Sequence, residues 1–315
     1  MTLPTNTLTS HSAIGNREDL SDFIYDVTPT ETPVLSMLPR VKGTSSKHEW
    51  QIKALASASA TNFNIEGDDA TTDASNTTTR LYNYRAISDK VVQVSGSQDT
   101  YNTAGRKSEM AMQMTDKMSE LKRDVEMALL ENNASVAGNT TLASECAGLQ
   151  AFLATNLNKA SDATACAGNG TDAHTDGTAR ALQESFVESV LGLVWDNGGN
   201  PTIGVSGKFQ KAKFSSFAGS ATTMREQATK KVVNTVDIYI DPMGSEIRLV
   251  PCRQCPTDVV YFIDPTKLKF VTIRDFFSHD LAKTGDSTRK QILVEYTLEV
   301  CNEKAHGIVS DLTTS

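Results

Sequence analysis

Cys252-Arg253-Gln254-Cys255 places two thiols at the spacing of half a structural zinc site. Such a site takes four ligands, and no second cysteine pair follows; the fold would have to recruit Cys301 and His306. His48-Glu49 opens like the helix of a zinc protease, but Ile52 stands where that helix needs its second histidine, and the segment reads as a strand. Asp172, His174 and Asp176 alternate in a polar stretch that could hold a cation weakly, although loop carboxylates are ordinarily solvated. Gly204-Val205-Ser206-Gly207-Lys208 resembles a phosphate loop without its first glycine, and Phe209 replaces the hydroxyl residue after the lysine. No serine sits in a Gly-x-Ser-x-Gly elbow. These groupings do not converge on one catalytic centre, so the expectation is a protein that is not an enzyme and holds neither metal nor cofactor.

The elements that would have to position any site are dominated by one helix. Met110, Met114, Met118, Leu121, Val125 and Leu129 recur every three or four residues, the spacing of a single apolar stripe. Arg106, Lys107, Lys117, Lys122, Arg123, Glu126 and Glu131 fill the other faces. No proline interrupts residues 103–133, and a helix of that length would measure roughly 45 Å. The stripe is methionine-rich and stops after few heptads, which suits packing on a sheet of its own chain better than a coiled coil.

The flanking segments are less self-sufficient. Residues 1–40 read as a polar arm with apolar patches at Phe23-Ile24-Tyr25 and Val34-Leu35-Ser36-Met37-Leu38, separated by the extended run Thr28-Pro29-Thr30-Glu31-Thr32-Pro33. Residues 44–95 read as one very long hairpin, with a strand at 46–52 returning at 85–94. Its middle is Ala, Ser, Thr, Asn and Asp, with Phe63 and Ile65 almost the sole large apolar residues. Two bare strands are marginal in water, so the stretch is either disordered or supported by another subunit, with Trp50, Phe63 and Ile65 as anchors. From residue 178 the pattern becomes compact. A helix runs through Leu182, Phe186, Val190 and Leu193 to a Gly198-Gly199 stop, a short strand and helix follow, and further strands lie at 232–240, 247–250 and 259–263. The clearest strand comes last, with Ile292, Val294, Tyr296, Leu298 and Val300 on one face and Gln291, Glu295, Thr297 and Glu299 on the other. Helices and strands segregate in this order, which gives an α+β class.

The 315 residues carry a net charge of −8 and a pI near 5.2, a poor balance for direct contact with nucleic-acid phosphates. No signal peptide opens the sequence and no apolar run is long enough to span a membrane. Five sparse cysteines suggest reduced thiols in a cytosol. The Asn-x-Ser/Thr sites at Asn76, Asn133, Asn139 and Asn169 then read as polar loops.

Blocks of text near both ends add a resemblance. They are Gly15-Asn16-Arg17-Glu18-Asp19-Leu20-Ser21-Asp22, Thr28-Pro29-Thr30-Glu31-Thr32-Pro33, His48-Glu49-Trp50-Gln51, Glu66-Gly67, Ala104-Gly105-Arg106-Lys107-Ser108-Glu109, Glu120-Leu121-Lys122-Arg123-Asp124, Leu281-Ala282-Lys283-Thr284-Gly285-Asp286-Ser287 and Val294-Glu295-Tyr296-Thr297-Leu298-Glu299. In this order the chain resembles tailed-phage major capsid proteins of the Hong Kong ninety-seven fold; residues 133–235 match in outline alone. The resemblance implies an N-terminal arm at 1–40 and an extended loop at 41–95. It implies a peripheral domain on a spine helix at 96–179, an axial domain at 180–255 and a return to the peripheral domain at 256–315. It also implies pentamers and hexamers closing an icosahedral head around packaged double-stranded DNA, without sequence-specific binding. The expected partners are further copies of the chain and separate scaffolding, portal and decoration proteins, assembled in the bacterial host cytoplasm, with no membrane. Phe23, Tyr25, Leu35, Trp50, Phe63 and Ile65 are the expected assembly contacts, and the methionine-leucine-valine stripe is the spine-helix core. No motif around Lys53 supports the autocatalytic cross-link of some members. The alternative on the same fold is the shell of a bacterial nanocompartment. A surface-array protein would need an export signal, and an enzyme a convergent site.

Overall fold

The computed structural model describes residues 27–69, 72–73, 75–101, 103–217 and 237–314, together with residues 6–9, 11 and 14. Phe23, Tyr25, Val232 and Val236 lie outside the described residues. The chain after residue 27 begins with a short helix α1 (Pro33–Met37), an edge strand β1 (Arg40–Lys42) and a hairpin of β2 (Lys47–Ile52) and β3 (Thr79–Tyr84). A ten-residue strand β4 (Ala86–Ser95) and a single helical turn α2 (Gly96–Thr100) lead into the long helix α3 (Glu109–Leu130).

The 22 residues of α3 make a rod of about 33 Å. It is shorter than the 103–133 expected because Ser108 caps it: the Ser108 side-chain oxygen accepts the Ala111 N–H at 3.3 Å. Gly105, at φ +77°, turns the chain just before that cap. Leu121, Val125 and Leu129 are fully buried, Met114 and Met118 pack at the margin of the same core, and Met110 joins Val92 and Val94 in a separate small cluster. Glu126, expected on a solvated face, is buried.

Two sheets flank this rod. The first has the order β1-β10-β11-β4, with β10 (Leu268–Asp280) and β11 (Ser287–Val300) as its long central pair. Strand β11 is the alternating strand expected, and its even-numbered residues from Ile292 to Val300 join the core under α3. Strand β10 escapes a period-two reading because its register against β11 shifts twice, between Thr272 and Arg274 and between Arg274 and Phe277. The hairpin differs from the expectation. The return partner of β2 is β3, not the 85–94 stretch; that stretch is β4, which pairs with β11. Arg85 alone carries the chain from one sheet to the other.

The second sheet follows the order β5-β12-β9-β6-β8-β7. Its members are β5 (Leu157–Asn158), β6 (Ile203–Ser206), β7 (Ile238–Ile240), β8 (Glu246–Pro251), β9 (Val260–Ile263) and β12 (Gly307–Val309). Helices α4 (Glu184–Asp196) and α5 (Lys208–Phe214) cover one face, where Val187, Val190, Val194 and Phe214 pack with Tyr239, Ile247, Leu249 and Phe262. Gly198, at φ +79°, follows the last turn of α4 as the stop pattern required. Gly204 lets β6 approach β8: a Cβ there would lie 2.7 Å from Leu249 Cδ2. Tyr261, Ile263 and Ile308 turn to the opposite face and join the core under α3. Two strands from residues 256–315, β9 and β12, thus share a sheet with β6, β7 and β8. Among the described residues no helix is long and apolar enough to cross a membrane.

Candidate functional site

The most distinctive local chemistry lies on the odd-numbered face of β11. Glu295, Thr297 and Glu299 point there and all three are buried. A buried carboxylate is tolerated when it is paired and hydrogen-bonded, and both are. Glu299 meets His48 Nε2 of β2 at 2.8 Å and Lys269 Nζ of β10 at 2.8 Å. The His48 hydrogen bond, then that of Lys269, hold its carboxyl down to about 2, and the same contact raises the Lys269 ammonium. Glu295 pairs with Arg85 and, at 2.6 Å, with Arg274 Nε. Between them Thr297 Oγ1 donates to the Tyr84 carbonyl at 2.8 Å.

These three rungs clamp the base of the β2–β3 hairpin onto the first sheet. Asn83 adds a fourth tie. It is fully buried, donates from Nδ2 to the carbonyls of Ala147 (3.2 Å) and Leu298 (2.9 Å), and accepts the Ala147 N–H at 2.9 Å. The Arg85 N–H closes the junction by donating to the Ser46 carbonyl at 3.0 Å. Trp50 packs inward, its ring 5.8 Å from that of Phe152. Beyond the last rung, Ile52 opposite Thr79, no ladder continues among the described residues. There Leu55, Phe63 and Ile65 are 85%, 84% and 79% exposed. The site is a fixed base carrying a bare apolar tip.

The arm meets the body in a second buried contact. Glu126 accepts the Leu35 N–H at 3.1 Å on one carboxylate oxygen and the Cys252 thiol at 3.0 Å on the other. Arg123 Nη1 donates to the Pro29 carbonyl at 3.3 Å. Val34, Leu35 and Leu38 enter the core of their own chain. Of the expected assembly contacts, then, Leu35 and Trp50 are buried in the core of their own subunit. Phe63 and Ile65 are free.

The groupings that suggested catalysis are placed differently. Burial pushes the Cys252 thiol up to about 12 and Cys255 well above its ordinary value, and the Cys252 thiol is spent on a hydrogen bond to Glu126 Oε1 at 3.0 Å. His174 Nδ1 accepts the Cys166 N–H at 3.2 Å, which leaves the proton on Nε2, donated to the carbonyls of Gln150 and Leu153 at 3.0 Å each. Such a ring is no base for the Cys166 thiol 3.3 Å away, and burial pushes that thiol up to about 11. Asp172 accepts the Ala167 N–H at 2.9 Å. His306 is buried and held down to about 4 by loss of solvation. Among the described residues, no three His, Cys, Asp or Glu side chains are grouped to hold a metal. Sequence reasoning missed Glu126, Glu295 and Glu299 as structural residues. The available signal was the mixture of carboxylates with so apolar a strand, and a lone arginine between two strands.

The sequence profile of the SU10 major capsid protein family matches residues 3–313. The chain is 25% identical, over 95% of its length and 95% of the relative's, to the major capsid protein of Escherichia phage Phieco32. Its fold is similar to that of the capsid asymmetric unit of Cyanophage A-1(L), with a TM-score of 0.66 at 12% identity, covering 98% of this chain and 99% of that one. An encapsulin from Synechococcus elongatus is similar at a TM-score of 0.56 and 11% identity, covering 96% and 94%. The chain therefore belongs to the SU10 major capsid protein family: it is a phage major capsid protein of the Hong Kong ninety-seven fold, a structural component of the virion capsid.

Proposed function

We propose that copies of this chain assemble as pentamers and hexamers into an icosahedral head enclosing packaged double-stranded DNA. The observation that supports this most is the hairpin, clamped at its base by the hydrogen-bonded, buried carboxylates Glu295 and Glu299 and bare at Phe63 and Ile65. A rigid support that presents apolar side chains away from its own core suits a head-to-tail contact between copies, and such contacts close into rings. The net charge of −8 suits a container that does not trap its DNA through phosphate contacts. In this reading residues 1–40 are the arm, 41–95 the extended loop, 96–179 the peripheral domain and 180–255 the axial domain. Residues 256–315 contribute to both, since β9 and β12 pair within the sheet of β6, β7 and β8. Scaffolding, portal and decoration proteins are separate chains, and assembly proceeds in the host cytoplasm.

Electron microscopy of the purified protein, combined with limited proteolysis, tests the reading. Closed shells whose hairpin resists cutting between residues 54 and 80, beside free subunits cut there first, are the expected result. Equal cutting in both states would sink the intersubunit role of the hairpin. A nanocompartment shell is the second reading, favoured by the encapsulin's fold. Particles that carry protein cargo and no DNA from infected cells would select it.

A further inference from the structure

We infer that residues 62–65 of one copy add as an edge strand alongside residues 277–280 of a second copy, antiparallel, with Asn64 opposite Ser278. This rests on the hairpin being an intersubunit contact, as proposed above. The acceptor is the outer edge of β10. Strand β1 covers that edge only from Phe270 to Thr272, and the Gly43 N–H closes the pairing on the Thr272 carbonyl at 2.9 Å. From Arg274 to Asp280 the outer edge has no ladder partner among the described residues, and apart from Phe276 and the half-exposed Phe277 these residues are openly exposed. Residues 277–280 keep regular register with β11, and the Leu281 N–H donates to the Arg289 carbonyl at 2.9 Å. Antiparallel ladders alternate, so residues of the opposite parity, Ser278 and Asp280, turn their N–H and C=O outward. An open edge of this kind is a template for another strand.

The donor fits in period, polarity and charge. Asn62, Phe63, Asn64 and Ile65 alternate polar and apolar, and they have no ladder partner among the described residues. Phe63 N–H donates to the Thr61 carbonyl at 2.8 Å, a γ-turn centred on Asn62, which leaves Asn64 as the residue whose backbone is offered. With Asn64 opposite Ser278, Ile65 lies beside Phe277 and Phe63 beside His279, on the sheet face where Ile87, Val91 and Phe277 are exposed. Direction follows from charge. Between Ala54 and Thr79 the carboxylates Glu66, Asp68, Asp69 and Asp73 face no lysine, arginine or histidine in their own segment. The antiparallel sense brings them to the end of the edge that carries Lys42, beside Arg40, which faces Asp275 at 3.9 Å, and Arg274, which is paired with Glu295, and it keeps them away from Asp280. The 13 residue steps from Ile52 to Ile65 reach at most about 45 Å.

The test is a cysteine pair, Asn64→Cys with Ser278→Cys, oxidised in assembled particles and read on a denaturing gel. The native cysteines are buried or half-buried, and each single variant is the control. Covalent multimers from the double variant, absent from both single variants, are expected. No multimers from particles whose hairpin resists proteolysis would overturn this contact and leave the assembly reading standing. No closed particles from the unaltered chain would overturn both. A second variant, Ser278→Pro, removes the outward N–H without touching the ladder to β11. It should lower the yield of closed particles about tenfold while the melting temperature of the subunit holds; an unchanged yield would overturn the inference.

Discussion

Glu299→Gln is the sharpest probe of the clamp. The carboxylate sits between His48 and Lys269, both at 2.8 Å, and those contacts lower it from 4.5 to about 2. At neutral pH a change of that size corresponds to roughly 3 kcal/mol of favourable interaction with the charged form. His48 and Lys269 are themselves 21% and 35% exposed, and solvent screening at that rim reduces the expected loss to about 1–2 kcal/mol. The sign follows from the direction. The folded carboxyl titrates below the unfolded one, so its contribution is complete above about pH 4.5 and disappears as pH falls toward about 2. Urea unfolding of dissociated subunits at a series of pH values measures the difference between wild type and variant. That difference should be near its full size at pH 7 and shrink steadily below pH 4.5. A gap that stays constant down to pH 2.5 would refute the charge argument and leave only a packing defect. Proteolysis at residues 43–46 supplies an independent readout, since a loosened hairpin base is cut there faster.

Three further outcomes follow from the packing. Leu121→Ala, at a fully buried position of α3, should cost about 2–5 kcal/mol in urea unfolding, whereas Met118→Ala, at the core margin, should cost about 1 kcal/mol; equal losses would mean the rod is not seated as described. Glu126 is raised by burial, so its charged form works against folding and its contribution fades as pH rises through the folded value; Glu126→Gln should therefore be neutral or slightly stabilising at pH 8, and Glu126→Ala, which strands the Leu35 N–H, should lose about 1–3 kcal/mol. Removing residues 1–38 strips Val34, Leu35 and Leu38 from the core and should give insoluble protein; soluble subunits with an unchanged melting temperature would refute that packing.

The parts of this molecule that were readable from its residues are those whose period is regular. The stripe from Met110 to Leu129 and the alternation from Ile292 to Val300 each follow one repeat, and each became the element it suggested. Strand β10 was unreadable because two irregularities break its period within a few residues. The partner of β2 was misassigned for a related reason: β3 and β4 are separated by Arg85 alone, and nothing in the local pattern marks where one sheet stops and the next begins. The free tip was legible as a stretch with too few apolar residues to support itself, which is a statement about composition and not about register.

The polar residues of β11 show why the site itself was harder to read than the fold. Alternation says that Glu295, Thr297 and Glu299 share a face; it does not say what covers that face. An antiparallel sheet with one wet face and a sheet whose second face holds ion pairs have the same sequence signature. The deciding partners come from far along the chain: His48 is 251 residues from Glu299, and Tyr84 is 213 from Thr297. The same holds for Glu126, whose partners Leu35 and Cys252 lie 91 and 126 residues away. An arm and a hairpin with few apolar residues cannot be fixed to the body by hydrophobic area alone, and buried carboxylates offer strong, directional ties per residue. The cost is that breaking one partner leaves the other charge buried. That asymmetry places the mechanical weak points of the subunit at Glu295 and Glu299, where the hairpin joins the body, and leaves the exposed tip free to vary in sequence without loosening the base on which it stands.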